Sequence, residues 1–257
     1  MKREWLSGFL FLAVLVSFSS NAYAEWSFGL GTGPQRLSID GDVGFTTDFG
    51  SVDLAVDINA DDMGDMTDNA FGLGGYATNG EWMFQGTAGK LGLEGSAGGM
   101  GPTSTLSASL DFDITGAELT GGYFFHKTPG LKLQAYTGAR YTKHEIDLVV
   151  TGDGFIGTDR HKSIDESWTD ILFGLSADIP FAQKWNWNVK ADAGFGGSEG
   201  TYLASTGVSW RFYGGWSATL FGKYAAVEYE NGSKGDSDYY LYDIDESTLG
   251  LNILYNW

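Results

Sequence analysis

The chain alternates apolar and polar residues with period two through most of its length, and no dozen residues hold a convincing 3.6-residue apolar period. The stretch KWNWNVKADAGF shows the pattern without a break: Trp185, Trp187, Val189, Ala191, Ala193 and Phe195 share one face, and Lys184, Asn186, Asn188, Lys190 and Asp192 the other. The alternation predicts strands at Glu25 to Gly33, Asn69 to Thr78, Trp82 to Leu93, Leu106 to Phe125, Leu131 to Leu148, Trp168 to Pro180, Trp185 to Phe195, Tyr202 to Phe212, Trp216 to Tyr229 and Tyr240 to Trp257. One strand changes phase: its apolar residues are even from Leu106 to Ile114 and odd from Leu119 to Phe125. A β-bulge near Thr115 to Ala117, or a break, would restore the phase.

Short turns join these strands in pairs: Asn79-Gly80, HKTPG, FAQK and YGG. Between the pairs lie longer, acidic connections at Pro34 to Asp68, Thr151 to Glu166 and Asn231 to Asp238. Turns at one end and long loops at the other is the layout of a transmembrane antiparallel up-and-down β-barrel, so the expected fold is all-β with about 10 strands. Twelve and eight are the alternative counts. Twelve would follow if RLSIDGDVGFTTDFGSVDLAVDI joined the wall as a hairpin rather than lying in the first loop.

Alternation alone does not separate a lipid-facing wall from the half-buried sheet of a soluble sandwich or lipocalin-like barrel. Aromatic residues gathered at strand ends favour lipid: Trp82, Trp168, Trp185, Trp187, Trp216, Tyr255 and Trp257 are expected at the two membrane interfaces. The polar faces mix small residues with charges of both signs, as a crowded lumen would, whereas a solvated face would be richer in Lys and Glu. Lys132, Arg140, Asp170, Asp178, Lys190, Asp192, Arg211 and Lys223 share the inner phase and are the expected lumen-lining charges. They would either line a narrow path for small solutes or ions or fill the barrel as a salt-bridged plug.

Composition narrows the compartment. Residues 1–24 carry a basic start at Lys2 and Arg3, an apolar run from Phe9 to Phe18 and the small-x-small site Ala22-Tyr23-Ala24, the parts of a secretory signal peptide. Residues 25–257 would then form the barrel. The apolar run is too short for a spanning helix, which needs roughly twenty residues. There is no cysteine, which excludes disulfides, thiolate metal sites and a lipoprotein anchor. A formal charge of −18 leaves no basic stripe for nucleic acid. Thirty-nine glycines, four prolines and 15% aromatic residues favour strands over helices.

NILYNW at the end looks like the terminal signal of bacterial outer-membrane barrels, with Trp257 where phenylalanine is usual. The last hundred residues, from ESWTDILFGL through WRFYGGWSATLFGKYAAVEYE, resemble a family of Gram-negative outer-membrane barrels of uncharacterised function. Trp168-Thr169-Asp170, Asp192-Ala193-Gly194-Phe195 and Trp216 to Tyr224 carry that resemblance. Ile171 replaces a common proline, and Lys223 and Tyr224 exchange the basic and aromatic residues. The resemblance implies the cell outer membrane, contact with its lipid and lipopolysaccharide, and recognition of the last strand by the barrel-assembly machinery.

Candidate chemistry is sparse. DINADDMGDMTD offers Asp61, Asp62, Asp65 and Asp68 as oxygen ligands for calcium but lacks the EF-hand spacing, so no metal site, and likewise no cofactor, is expected. The triplets Asp111 to Asp113 and Asp159 to His161 resemble the Asp-Asp and Asp-His pairs of omptin proteases, but nothing around them does. An outer-membrane hydrolase is the least favoured reading, and no enzyme is expected. The functions left are a narrow channel or small-solute barrel and, alternatively, a non-conducting structural or surface-interaction barrel with acidic loops.

Overall fold

A computed structural model describes residues 25–47, 50–100, 106–152 and 160–257. The proposed signal segment, residues 1–24, and Asp159 lie outside the described residues. The strands are β1 (Ser27–Thr32), β2 (Gln35–Thr47), β3 (Gly50–Ile58), β4 (Thr67–Thr78), β5 (Trp82–Met100), β6 (Leu106–Thr128), β7 (Leu131–Gly152), β8 (Arg160–Ala182), β9 (Trp185–Phe195), β10 (Gly200–Tyr213), β11 (Trp216–Asn231) and β12 (Tyr240–Asn256). One short helix, α1 (Ala60–Met66), lies between β3 and β4.

Ten strands close the barrel. β4 to β12 pair in sequence order, each antiparallel to the next, and β1 sits between β12 and β4 to complete the ring. Closure pairs the ring strands on both sides at its lower end, as a wall in lipid requires. The remaining two strands are the RLSIDGDVGFTTDFGSVDLAVDI hairpin. β2 takes over from β1 along the upper half of β12, from Gln35 opposite Gly250 to Phe45 opposite Tyr240, and β3 pairs with β2. The segment expected as a first loop is thus a hairpin and a helix built above the ring.

The strands at the turn side carry apolar outer faces. On β7 these residues are Leu133, Ala135, Thr137, Ala139 and Tyr141; on β8 they are Ile171, Phe173, Leu175, Ala177 and Ile179, with Leu133 to Ala139 opposite Ala177 to Ile171. Phe173 and Leu175 remain 54% and 61% exposed, a costly arrangement in water and the expected one in hydrocarbon. About nine residues at ~3.3 Å rise and ~40° tilt span roughly 25 Å. Aromatic rings touch around the turn end: Trp82 with Tyr123, Trp185 with Trp210, and Trp216 with Tyr255, which stacks on Trp257. This is an outer-membrane β-barrel.

Above Tyr141 the outer face of β7 becomes Lys143, Glu145 and Asp147, and Ile146 turns inward, 4% exposed. The same inversion occurs on β6, where the expected bulge near Thr115 to Ala117 is absent: β5–β6 and β6–β7 pairing run unbroken through it. The strand keeps its register while its surroundings change. Below, apolar side chains face lipid; above, they face a water-excluded interior, so the apolar phase must flip. The connection expected at Thr151 to Glu166 shrinks accordingly, because β7 continues to Gly152 and β8 begins at Arg160, whereas the connection expected at Asn231 to Asp238 keeps its length between β11 and β12.

Candidate functional site: a lumen filled in layers

Glu118, Arg140, Lys190 and Asp192 meet inside the ring at membrane level. Arg140 donates to Glu118 Oε2 from Nε at 3.0 Å and Nη2 at 2.7 Å, and from Nη2 to Asp192 Oδ1 at 3.0 Å. Lys190 Nζ reaches Glu118 Oε1 at 2.8 Å and lies 3.7 Å from Asp192. Two cations face two carboxylates, and the Asp192 side chain has no exposure at all. Burial of that kind is tolerated because each carboxylate meets more than one donor. Tyr136 completes the layer. Its hydroxyl donates to Asp192 Oδ2 at 2.8 Å, and Lys190 sits 5.0 Å from its ring centroid. To reach Asp192 on β9 from β7, the ring must cross β8, and it does so over Gly174, where an added Cβ would lie 2.2 Å from Cζ.

Asp170 and Leu172 lie above this layer on β8, both fully buried. Asp170 does not face open lumen. It accepts from the backbone N–H of Gly197 at 3.1 Å and of Ser198 at 2.8 Å, and from the Ser198 hydroxyl at 2.8 Å, tying the β9–β10 connection to β8.

Higher still, in the part of the barrel above the lipid, the interior is a hydrophobic core. Trp168 stacks on Tyr229 at 4.1 Å. His144 stands edge-on to Trp168, Phe112 and Tyr242, and its Nδ1 shares a 2.7 Å hydrogen bond with the Tyr240 hydroxyl. Ile146, Ile244, Leu93, Ile39 and Phe45 close around them, and Met63 of α1 packs into the same cluster. Burial pushes the His144 imidazole down to about 3, so it is neutral here, and raises the Tyr229 phenol to about 12, helped by its hydrogen bond to Glu166. Trp168, expected at a membrane interface, is therefore an interior residue, only 5% exposed. Its strand runs eight residues further than the alternation suggested, which takes Trp168 off the strand end and into the core.

On the turn side of the ion layer the lumen is polar and hydrogen-bonded. Asp178 accepts from Asn186 at 3.3 Å and also from Asn188. Ser209 bridges Asn188 at 2.9 Å and Thr219 at 2.8 Å. Arg211 donates to the Gln183 carbonyl at 3.3 Å, and Tyr76 to Asn256 at 2.6 Å. Lys223 lies 3.6 Å from Glu246, while Lys132 is exposed near the β6–β7 turn. Of the eight expected lumen charges, Arg140, Lys190 and Asp192 are thus brought together and the other five are spread over separate contacts. Glu118, the hub of the network, was missed. It shares the inner phase of Thr120 and Gly122, and that phase was its only signal.

The expected interface residues other than Trp168 are outward and well exposed: Trp82 46%, Trp185 41%, Trp187 44%, Trp216 42%, Tyr255 44% and Trp257 60%. The Asp61, Asp62, Asp65 and Asp68 carboxylates do not converge. Asp61 and Asp62 lie in the first turn of α1, whose N-cap Asn59 accepts from both their backbone N–H groups. Arg36 pairs with Asp61 at 2.9 Å, and Asp62 and Asp68 accept from asparagine amides. Among the described residues no group of three or more His, Asp or Glu side chains is placed to hold a metal ion. Asp111 and His161 stand on the outer wall, each beside Asp147, with His161 Nε2 at 3.3 Å from its carboxylate.

No family model and no curated protein matches the chain. Among solved structures, 96% of it is similar to 94% of the translocator domain of autotransporter NalP from Neisseria meningitidis, at 13% identity and TM-score 0.43. It is likewise similar, over 91% of this chain and 99% of the other, to the attachment invasion locus protein Ail of Yersinia pestis, at 13% identity and TM-score 0.35. The transport unit of autotransporter AIDA-I from Escherichia coli is similar over 95% of this chain and 93% of that one, at 12% identity and TM-score 0.38. The barrel architecture rests on the strand order and the apolar belt, independently of these likenesses.

Proposed function

We propose that this protein is a non-conducting outer-membrane barrel whose role is structural: it holds a rigid, acidic strand wall above the outer leaflet. The observation that carries the reading is the packed core that fills the upper lumen, joining β5 to β8 on one side to β11, β12 and β2 on the other. A charge-balanced layer of Glu118, Arg140, Lys190, Asp192 and Tyr136 lies beneath a core of His144, Trp168, Tyr229, Tyr240 and Tyr242. Moving a hydrated ion along this axis would require the core to open and the ion pairs beneath it to rearrange. The extracellular strands support the same role. They extend far past the lipid, and their interior is packed like that of a soluble protein, so the surface they display is fixed in shape.

Planar-bilayer recording tests this. The purified folded protein should give no unitary conductance. Reproducible single-channel steps that change on neutralising Lys190 would instead establish a narrow channel.

A further inference from the structure

Where four neighbouring strands leave the apolar belt, their outward residues form one cross-strand row. Lys90 on β5 is opposite Thr115 on β6, Thr115 is opposite Lys143 on β7, and Lys143 is opposite Ser167 on β8. The rows beneath it are Ala88, Ala117, Tyr141 and Thr169, then Gly86, Leu119, Ala139 and Ile171, with Leu119 54% and Ile171 46% exposed to the lipid side. The row above is acidic: Asp113, Glu145 and Asp165 oppose one another directly. Lys90 bonds Asp113 at 2.7 Å, and Lys143 lies 2.9 Å from Glu145 and 3.1 Å from Asp165.

The two lysines are two strands apart, roughly 10 Å at the usual ~4.8 Å strand spacing. A threonine hydroxyl lies between them, and a serine hydroxyl flanks Lys143. Each ammonium has three donors. Lys90 is 44% exposed and uses one carboxylate; Lys143 is 27% exposed and uses two. The carboxylates lie one row further from the lipid-facing residues than the lysines do, and they occupy one donor of Lys90 and two of Lys143.

We propose that Lys90, Thr115, Lys143 and Ser167 bind the phosphate of an outer-leaflet glycolipid, with the acyl chains lying on Leu119, Ala139 and Ile171 below. Ammonium and hydroxyl donors at a lipid boundary match a phosphate monoester, whose oxygens only accept when ionised. The carboxylate row above orients the lysines and sets an upper limit to how far the anion can rise. The inference depends on the placement of the membrane and not on whether the lumen conducts.

Native mass spectrometry of the full-length folded protein in mild detergent, with diphosphorylated lipid A or its dephosphorylated form added, tests it. The diphosphorylated lipid should bind about tenfold tighter, and the Lys90→Gln/Lys143→Gln double variant should lose that preference. Lys132→Gln, near the opposite membrane face, should keep it. Equal binding of the two lipids by the native protein, or an undiminished preference in a double variant that still migrates as a folded barrel, would overturn the proposal. If the double variant does not fold, Lys90→Gln alone is judged by the same criterion.

Discussion

The Tyr136 hydroxyl reaches Asp192 at 2.8 Å by lying across the backbone of Gly174 on the strand between them. One residue without a side chain therefore lets β7 and β9 share a hydrogen bond through the lumen.

Gly174→Ala places a methyl 2.2 Å from Tyr136 Cζ and forces the ring off Asp192. Overpacking of this kind costs about 1–3 kcal/mol, and the carboxylate left short of a donor adds to it. The temperature at which the folded, fast-migrating form is lost on a gel should fall. Tyr136→Phe should lower it less, because it removes the hydrogen bond without the clash. The pair Gly174→Ala/Tyr136→Ala should recover part of the loss by removing the collision.

Trp168 and the interface tryptophans should separate by their surroundings. Brominated lipids should quench the fluorescence of Trp185 and Trp187, whose outward faces meet lipid, and leave Trp168 untouched. Trp187→Phe should therefore reduce the quenchable signal and Trp168→Phe should not. Trp168→Ala removes the ring stacked on Tyr229 and should destabilise the extracellular core by about 3–5 kcal/mol. Proteolysis above the membrane should become faster while the lipid-embedded ring stays intact.

That misplacement of Trp168 and the expected bulge in β6 have one physical cause. Period-two alternation reports which face is apolar and says nothing of what the face meets. From Leu131 to Tyr141 or Trp185 to Phe195 the alternation and the paired turns were enough to read a barrel wall. From Leu106 to Ile114 the same alternation with inverted phase signified a different solvent, water outside and a packed core inside, and without coordinates it resembled a register error. The ion layer was legible only as a phase. Arg140, Lys190 and Asp192 share it, but Gly174 as the crossing point and Glu118 as the hub depend on side chains of β6, β7 and β9 meeting over the strand between, which no local pattern encodes.

His144 makes the extracellular core sensitive to acid. Its folded value of about 3 lies below the ordinary 6.5. Between those limits the unfolded chain binds a proton that the folded one does not, so this contribution to stability is complete above about pH 6.5 and declines as pH falls toward 3. The aromatic groups against the ring are Phe112, Trp168, Tyr240 and Tyr242, and the carboxylate of Glu166, opposite His144 on β8, is engaged by Tyr229 and Asn231. Urea unfolding of the native protein should weaken between pH 7 and 4 more than that of His144→Phe. Parallel curves would remove His144 as the cause.

The proposed closure of the lumen can be probed directly because the chain has no cysteine. Leu172→Cys would place a thiol between the ion layer and the aromatic core, at a position with no exposure, and Ser163→Cys would place one on the exposed outer wall above the lipid. A small, membrane-impermeant thiol reagent applied to intact cells should label the Ser163→Cys protein readily and leave the Leu172→Cys protein unmodified until it is unfolded. Rapid labelling at 172 in the folded barrel would mean that water and solutes reach the middle of the lumen, and would contradict the closed-barrel account.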